Sequence, residues 1–437
     1  MTPRPNFVFI LADDLGYADL GCYGARSDCS PNLDRMAAQG LRFTDGYANS
    51  PVCSPTRFAL ATGRWQYRLR GGADEPIGTR TRGSTVLGLP ASHPTIASVL
   101  RDGGYRTALF GKWHLGFPPL FSPLRSGYEA FFGVNAGGVD YFTHLDYAGV
   151  HDLVEGETEV HRDGYLTDLI TERAVEYIDR RQGADHASKR APFLLSVHYT
   201  APHWPWETRA DAKLGSSLAS IVHVDGGSVP IYQQMIREMD EGIGAILAAL
   251  DRSGESENTI VVFTSDNGGE RFSDNWPLVG GKMDLLEGGI RVPYIVRWPE
   301  RIAAGGTSSQ LVITMDWVAT FFAAAGVTAV RDYPLDGIDL GPVLTDPART
   351  IDRDLFWRMK HLGQQAMRRG NWKYLSRNGH EFLFDLDADA RERANRARHE
   401  PARLQMMRAA YAAWAASVPP IPIDAKTSIP YQPGDLA

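Results

Sequence analysis

The sequence is poor in the features that define several protein classes. Three cysteines (Cys22, Cys29, Cys53) stand among 437 residues. That is too few for a disulfide framework, and the scarcity fits a reducing compartment. Cys22 and Cys29 could pair with each other but are expected to stay thiols. No apolar run approaches the roughly 18–20 residues that cross a bilayer, so no membrane is expected as a partner. The apolar run near the start, "FVFILA", is short and leads into acidic residues with no small-residue cleavage site, unlike a secretory leader. The expected location is cytoplasmic, or periplasmic or secreted where a leader has been removed. An excess of positive charge is also missing. Lys and Arg number 45 against 52 Asp and Glu, a formal net charge of −7, so nucleic acid is not an expected partner either. Internal repeats and low-complexity blocks are absent. Hydrophobic content of 43% and charged content of 22% are ordinary for a globular chain.

What is present is alternation. "NFVFILA" (6–12), "YRTALFG" (105–111), "APFLLSVHYT" (191–200) and "NTIVVFTS" (258–265) are short runs rich in β-branched and aromatic residues. Between them lie helical periods: "SPNLDRMAAQG", with Ser30 as N-cap, Pro31 in the first turn and Gly40 as stop, then "TIASVLRDGG", 166–181 and 231–254. Such alternation predicts an α/β fold with a large mixed, mostly parallel sheet sandwiched by helices. Near residue 345 the pattern changes to short strands ("RDLFWRM", "QQAMRRGNWKYLS", "HEFLFDLD") and a last helix around 400–416. The expected division is a catalytic domain over 1–345 and a small α+β subdomain over 346–437. Its proline-rich end is too rich in proline for helix or sheet interior, and is expected to fray or to lie extended over another surface, such as a neighbouring subunit.

The predicted strands end in polar clusters. Asp13-Asp14 follow the first, Lys112 and His114 the second, His203 in "APHWPW" the third, and Asp266-Asn267 the fourth. In open α/β sheets ligands bind beyond the carboxyl ends of the strands, so parallel strands would deliver all of these to one edge. Asp13, Asp14, Asp266 and Asn267 offer only oxygen, which suits a hard cation such as Ca²⁺ or Mg²⁺ rather than zinc. Each pair alone is more often a turn former; two pairs, each behind a buried strand, point to a metal. Lys112, His114, His203 and Lys282 add cationic and proton-transfer groups around it, which implies an anionic, oxygen-rich substrate, a phosphate or sulfate ester.

Cys53 lies in "SPVCSPTRFALATGR". From its surroundings it is a buried small hydrophobe or a thiolate at a helix N-terminus, beside Arg57. A third reading comes from resemblance. "C-S-P-T-R" followed by "L-A-T-G-R" resembles the motif of the formylglycine-dependent type I sulfatases of the alkaline phosphatase superfamily, and "NFVFILADDLGYADLGCYG", "GYRTALFGKWHLG", "YTAPHWPW", "VVFTSDNGGE" and "GGKMDLLEGGIRVPYIVRWP" are similar to that family's other blocks in the same order.

The resemblance implies an alkaline phosphatase-like fold and hydrolysis of an aryl or carbohydrate sulfate through a covalent sulfate–enzyme intermediate. Cys53 would be converted to formylglycine by a maturation enzyme, and its hydrate would be the nucleophile. Asp13, Asp14, Asp266 and Asn267 would hold one ion, usually calcium in that family, with modified Cys53 directed at it. Arg57 and Lys112 would orient the nucleophile and His114 would serve as base. Lys282 and His203 would grip the sulfate, one of them protonating the departing oxygen. Phosphonate monoester and phosphodiester hydrolases share the motif and are the nearest alternative; a non-catalytic anion- or metal-binding protein is another. For the leaving-group pocket the sequence nominates Trp204, Trp206, Tyr141 and His144, with Asp140 and Arg162 as selectors.

Overall fold

Asn6–Ala12, strand β1, is buried at every position. Successive side chains of a strand point to opposite faces, so this continuous apolar run feeds two cores. Val8, Ile10 and Ala12 enter one, Phe7, Phe9 and Leu11 the other. The structure, a computed structural model, describes residues 4–180, 191–212 and 226–428.

In chain order the further strands are β2 (Leu41–Phe43), β3 (Gly46–Tyr47), β4 (Arg106–Lys112), β5 (Ala130–Val134), β6 (Val154–Glu155), β7 (Thr158–Glu159), β8 (Phe193–His198), β9 (Thr259–Ser265), β10 (Tyr294–Arg297), β11 (Gly306–Ser308) and β12 (Val312–Ile313). Ten of them form one sheet in the order β11-β2-β10-β9-β1-β8-β4-β5-β6-β7. The central strands β9, β1, β8, β4 and β5 are parallel, and Phe9 sits in register between Ser196 and Val262. β10 runs against both β9 and β2, which makes the sheet mixed. Helices Leu166–Asp179 and Val229–Ser253 pack on the face of Val8 and Ile10, and helices Cys53–Thr62, Ile96–Asp102 and Asp316–Ala325 on the face of Phe7 and Phe9. This is the helix-covered, mostly parallel sheet expected from the alternation, in the alkaline phosphatase-like arrangement that the resemblance implies.

β13 (Asp354–Arg358), β14 (Gln365–Arg369), β15 (Trp372–Arg377) and β16 (His380–Asp385) make a separate antiparallel sheet. With helix Pro401–Ala416 it closes a third core that includes Cys53, Tyr47 and Leu285. The start of helix 53–62 therefore lies where the two sheets meet.

One local expectation changes, and one is decided between its alternatives. Ser30 takes the N-cap position of helix Pro31–Ala38 without capping it; its Oγ accepts from Gly21 N instead. The free amides of that helix are capped from a distance, with Asp240 accepting from Asn32 N at 2.9 Å and Leu33 N at 2.8 Å. The described part of the proline-rich tail does not fray: it lies on its own chain, where Glu75 N donates to Lys426 O and Ser428 N to Glu75 O, each at 2.8 Å. Residues 429–437 of that expectation fall outside the described residues, as does residue 181 of the helix expected over 166–181. Among the described residues no helix is long and apolar enough to cross a membrane.

Candidate active site

Because β1, β4, β8 and β9 are parallel, the residues after their carboxyl ends gather at one edge of the sheet. Asp13 follows β1, Asp266 follows β9, Lys112 ends β4 and His203 comes shortly after β8. Backbone bonds lock these turns together: Asp13 N donates to Ala201 O and Asp266 N to Ala12 O, both at 3.1 Å.

Asp13, Asp14, Asp266 and Asn267 are buried. Ligand atoms of Asp13, Cys53 and Asp266 lie within 4.8 Å of one another, as do those of Asp13, Asp14 and His203. Three cations stand against the carboxylates. Lys112 Nζ pairs with Asp13, Lys282 Nζ donates to Asp14 Oδ2 at 2.6 Å, and Arg57 reaches Asp266 through Nε at 2.9 Å and its second guanidinium nitrogen at 2.8 Å. Asn267 Nδ2 donates to Asp14 Oδ1 at 2.7 Å. Two buried acceptors keep no hydrogen-bond partner, Asp13 Oδ1 and Asn267 Oδ1. Buried polar atoms without partners are costly and uncommon; two oxygens in an acidic cluster mark a place for a cation. Burial, followed by the charge of Asp13, pushes Asp266 up to about 7. Burial also works against ionised Asp14, but Lys282, His203 and Lys112 together hold it down at about 2. These donors fit a hard divalent ion.

Strain accompanies the site. Asp14 has φ 62°, His114 φ 56° and Met283 φ 74°, a left-handed backbone that costs about 1–2 kcal/mol for a residue with a Cβ. Such residues persist where their surroundings hold them, commonly at functional sites.

Cys53 is the first residue of helix Cys53–Thr62, every residue of which is buried. Pro55 is tolerated because amides in the first turn have no partner within the helix, and Arg57, one turn on, shares the face of Cys53. Burial pushes the Cys53 thiol up to about 11 despite the pull of Lys112 and Lys282. At neutral pH it is a thiol, which counts against the thiolate reading of the sequence.

The two histidines present defined nitrogens. His114 Nε2 is 2.7 Å from Ile77 O, so the ring donates there and Nδ1 is left bare, buried and without partner. Burial and then Lys112 hold this ring well below the ordinary histidine range. His203 Nδ1 donates to Trp204 O at 2.5 Å, leaving Nε2 3.5 Å from Asp14 Oδ2. Burial, with Lys282, lowers it to about 3.

Cys53, His114, His203 and Lys282 line a cleft of about 850 Å³ together with Trp204 and Tyr147, whose rings lie 5.2 Å apart. Several nominated wall residues are elsewhere, and this corrects the expectation. Tyr141 is buried, stacks on Tyr165 at 5.1 Å and donates its OH to His203 O at 2.9 Å. Asp140 is buried and accepts from Phe142 N and Thr143 N within its own loop. Both are consumed in shaping the loop behind His203. Trp206 packs edge-on against Phe272, His144 is buried outside the cleft lining, and Arg162 faces Glu172 at 3.8 Å.

Comparison with known proteins agrees with this geometry. The sulfatase family model matches residues 5–327. N-acetylgalactosamine-6-sulfatase of Mus musculus is 36% identical over 374 residues, 81% of this chain and 68% of its own. Arylsulfatase A of Homo sapiens is 34% identical over 402 residues, 84% of this chain and 74% of its own. The solved structure of Ps i-CgsB in complex with k-i-k-neocarrahexaose is similar at a TM-score of 0.84 and 30% identity, over 95% of this chain and 94% of that one. The chain belongs to the sulfatase family. It is a sulfatase-class hydrolase acting on sulfate esters, with a buried acidic cluster able to coordinate a metal beside Cys53.

Sequence reasoning missed part of this sulfatase's cleft. Tyr147, Arg80, Arg271 and His361 also line it, from loops and single 3₁₀ turns too short for any periodicity to betray them. Gln364 was missed too, just before β14 of the C-terminal sheet. Its Oε1 accepts from Leu285 N at 2.9 Å and its Nε2 donates to Met283 O at 2.8 Å. Met283 N in turn donates to Pro51 O at 2.8 Å, and Lys282 N to Gly269 O at 3.1 Å. The strained loop that carries Lys282 is thus held from three sides. No local sequence signal could have found a clamp supplied from so far along the chain.

Proposed function

We propose that this sulfatase removes sulfate from a carbohydrate, with Cys53 converted to formylglycine by a maturation enzyme and one Ca²⁺ held by Asp13, Asp14, Asp266 and Asn267. The observation that carries the reading is the pair of unpartnered buried acceptors, Asp13 Oδ1 and Asn267 Oδ1, beside a cluster in which ligand atoms of Asp13, Asp266 and Cys53 lie within 4.8 Å of one another. Calcium accepts a cage supplied by protein oxygens, whereas magnesium tends to keep several waters. When bound, the ion supplies positive charge that stabilises the sulfate oxygens as the ester bond breaks. The formylglycine hydrate supplies an oxygen nucleophile with a second hydroxyl for sulfate release, which a thiol lacks.

The rest falls to the chain's own groups. Arg57, Lys112 and Lys282 balance the three carboxylates, so a divalent ion gives the site a net positive charge suited to a sulfate monoester. His114 Nδ1, bare because Nε2 is committed to Ile77 O, takes a proton at the nucleophile. His203 Nε2 carries no proton at neutral pH while Nδ1 is held by Trp204 O. This favours Lys282 Nζ as the proton donor to the departing oxygen, with the bare Nε2 of His203 beside it, both facing Asp14 Oδ2. A sugar leaving group is supported by the aromatic wall of Trp204 and Tyr147, by the size of the cleft and by the carbohydrate names attached to two of the relatives.

The test has two readings. The tryptic peptide ending at Arg57, from protein produced with and without a maturation enzyme, is expected to carry an aldehyde mass only in the first case, and an unmodified thiol in active protein overturns the nucleophile assignment. Desulfation of a sulfated oligosaccharide is expected to exceed that of 4-nitrophenyl sulfate in kcat/KM. The reverse order removes the carbohydrate reading.

A further inference from the structure

Away from the cleft, two imidazoles converge on one carboxylate oxygen. Glu159 Oε1 lies 3.4 Å from His151 Nδ1 and 3.2 Å from His161 Nε2, and all three ligand atoms fall within 4.8 Å of one another. We infer that His151, Glu159 and His161 form a second metal site, taking a borderline transition-metal dication such as Zn²⁺.

Spacing and donor chemistry argue for it. Zinc bonds of about 2.0–2.1 Å in tetrahedral geometry put neighbouring donors about 3.3–3.4 Å apart, close to both measured separations. An ion pair to Glu159 accounts for one histidine but not for two. The imidazole rings are 4.3 Å apart and tilted by 34°, and two protonated rings at that separation repel. Neutral imidazoles beside a carboxylate are instead a set that zinc favours, unlike the all-oxygen cluster of the cleft. Burial and then His161 lower the pKa of His151, in keeping with a neutral ring. A third imidazole, His144, has its ring 6.0 Å from that of His151 and a buried Nε2 without partner.

The site would close a loop that matters to the cleft. Glu159 ends β7 and His161 follows it, while His151 precedes β6 and bridges to Leu145. The segment between Leu145 and His151 presents Tyr147 to Trp204 and the cleft. A metal would tie both ends of the β6–β7 hairpin together behind that wall.

Calcium-saturated protein titrated with Zn²⁺ by calorimetry, and with Co²⁺ by visible absorption, tests this. The wild type is expected to take up one equivalent with a raised melting temperature. His161→Ala and Glu159→Gln, both at exposed side chains, are expected to weaken uptake by about tenfold or more, while Asp13→Asn leaves it unchanged. Equal stoichiometry and affinity in a His151→Ala/His161→Ala variant overturn the assignment, as does no uptake by the wild type at about 100 μM Zn²⁺.

Discussion

Gln364→Leu is the sharpest perturbation of the Lys282 loop, because it removes the clamp without touching a group that meets substrate. Gln364 is 1% exposed. Leucine of similar size leaves Leu285 N–H and Met283 C=O without their partners at 2.9 and 2.8 Å. A buried backbone group left unsatisfied costs about 1–3 kcal/mol, so the two together come to about 2–6 kcal/mol, with cleft water reducing the upper end. The loop can relieve this by moving, since Met283 already carries a left-handed backbone. Movement takes Lys282 Nζ away from its place 2.6 Å from Asp14. If about 2–4 kcal/mol of transition-state stabilisation is lost, kcat/KM falls by about 30- to 1,000-fold. Gln364→Glu keeps the acceptor for Leu285 N but sets a second acceptor against Met283 O, and should fall between. The assay is kcat/KM on a chromogenic sulfate, with melting temperature measured alongside. Retention of kcat/KM within about twofold by Gln364→Leu refutes the argument that this clamp positions Lys282.

Cys53→Ala should abolish sulfate release while leaving the melting temperature within a few degrees, because the change is small and the helix around it stays buried; residual turnover near wild type would exclude a nucleophile at this position. Exhaustive chelation should remove activity and Ca²⁺ should restore it, with Asp13→Asn and Asp266→Asn weakening the restoration; activity indifferent to chelator contradicts the metal reading of Asp13 Oδ1 and Asn267 Oδ1. An aryl sulfate should be turned over with higher kcat/KM than the matching aryl phosphonate monoester, and equal or greater efficiency on the phosphonate would make this a phosphorus enzyme on the same scaffold.

Legibility in the sequence followed the physics of each element. The central strands were plain because burial on both faces demands continuous apolar runs, and Asp13-Asp14 and Asp266-Asn267 were plain because polar pairs directly behind such runs have few places to go. Lys112, His114 and His203 followed from the same strand ends. The cleft walls were not, because a loop's position says little about which side chains turn inward. Asp140 and Tyr141 stand close in sequence to Tyr147, yet they face the inside of their loop while Tyr147 faces the cleft. The cap of helix Pro31–Ala38 misled for a related reason: local propensity favoured Ser30, and a carboxylate from another helix, Asp240, took its place.

The contacts made by the C-terminal sheet explain how a clamp as distant as Gln364 can be accurate. Lys373 is fully buried between Glu287 at 2.9 Å and Glu392 at 2.8 Å. Glu287 also accepts from Tyr47 OH at 2.7 Å, and Arg368 donates to Asp45 at 2.5 Å. Asp45 and Tyr47 lead towards Cys53, Glu287 follows Lys282, and Lys373 and Arg368 belong to the C-terminal sheet, so one ionic cluster fixes all three against each other. Buried ion pairs are poor sources of net stability, since desolvation offsets their attraction; their better use is to fix register. Lys373→Met alone removes the cation paired with buried Glu392, while Glu287 keeps Arg291 at 3.5 Å and Arg368 at 3.7 Å, and should destabilise by about 3–5 kcal/mol, lowering the thermal midpoint and, through Gln364, kcat/KM. Replacing Lys373 and Glu392 together with apolar residues, with Glu287 left on Tyr47, Arg291 and Arg368, separates the two effects. Recovered stability with kcat/KM still depressed is what a register device requires, whereas recovery of both would reduce the cluster to charges that merely neutralise one another.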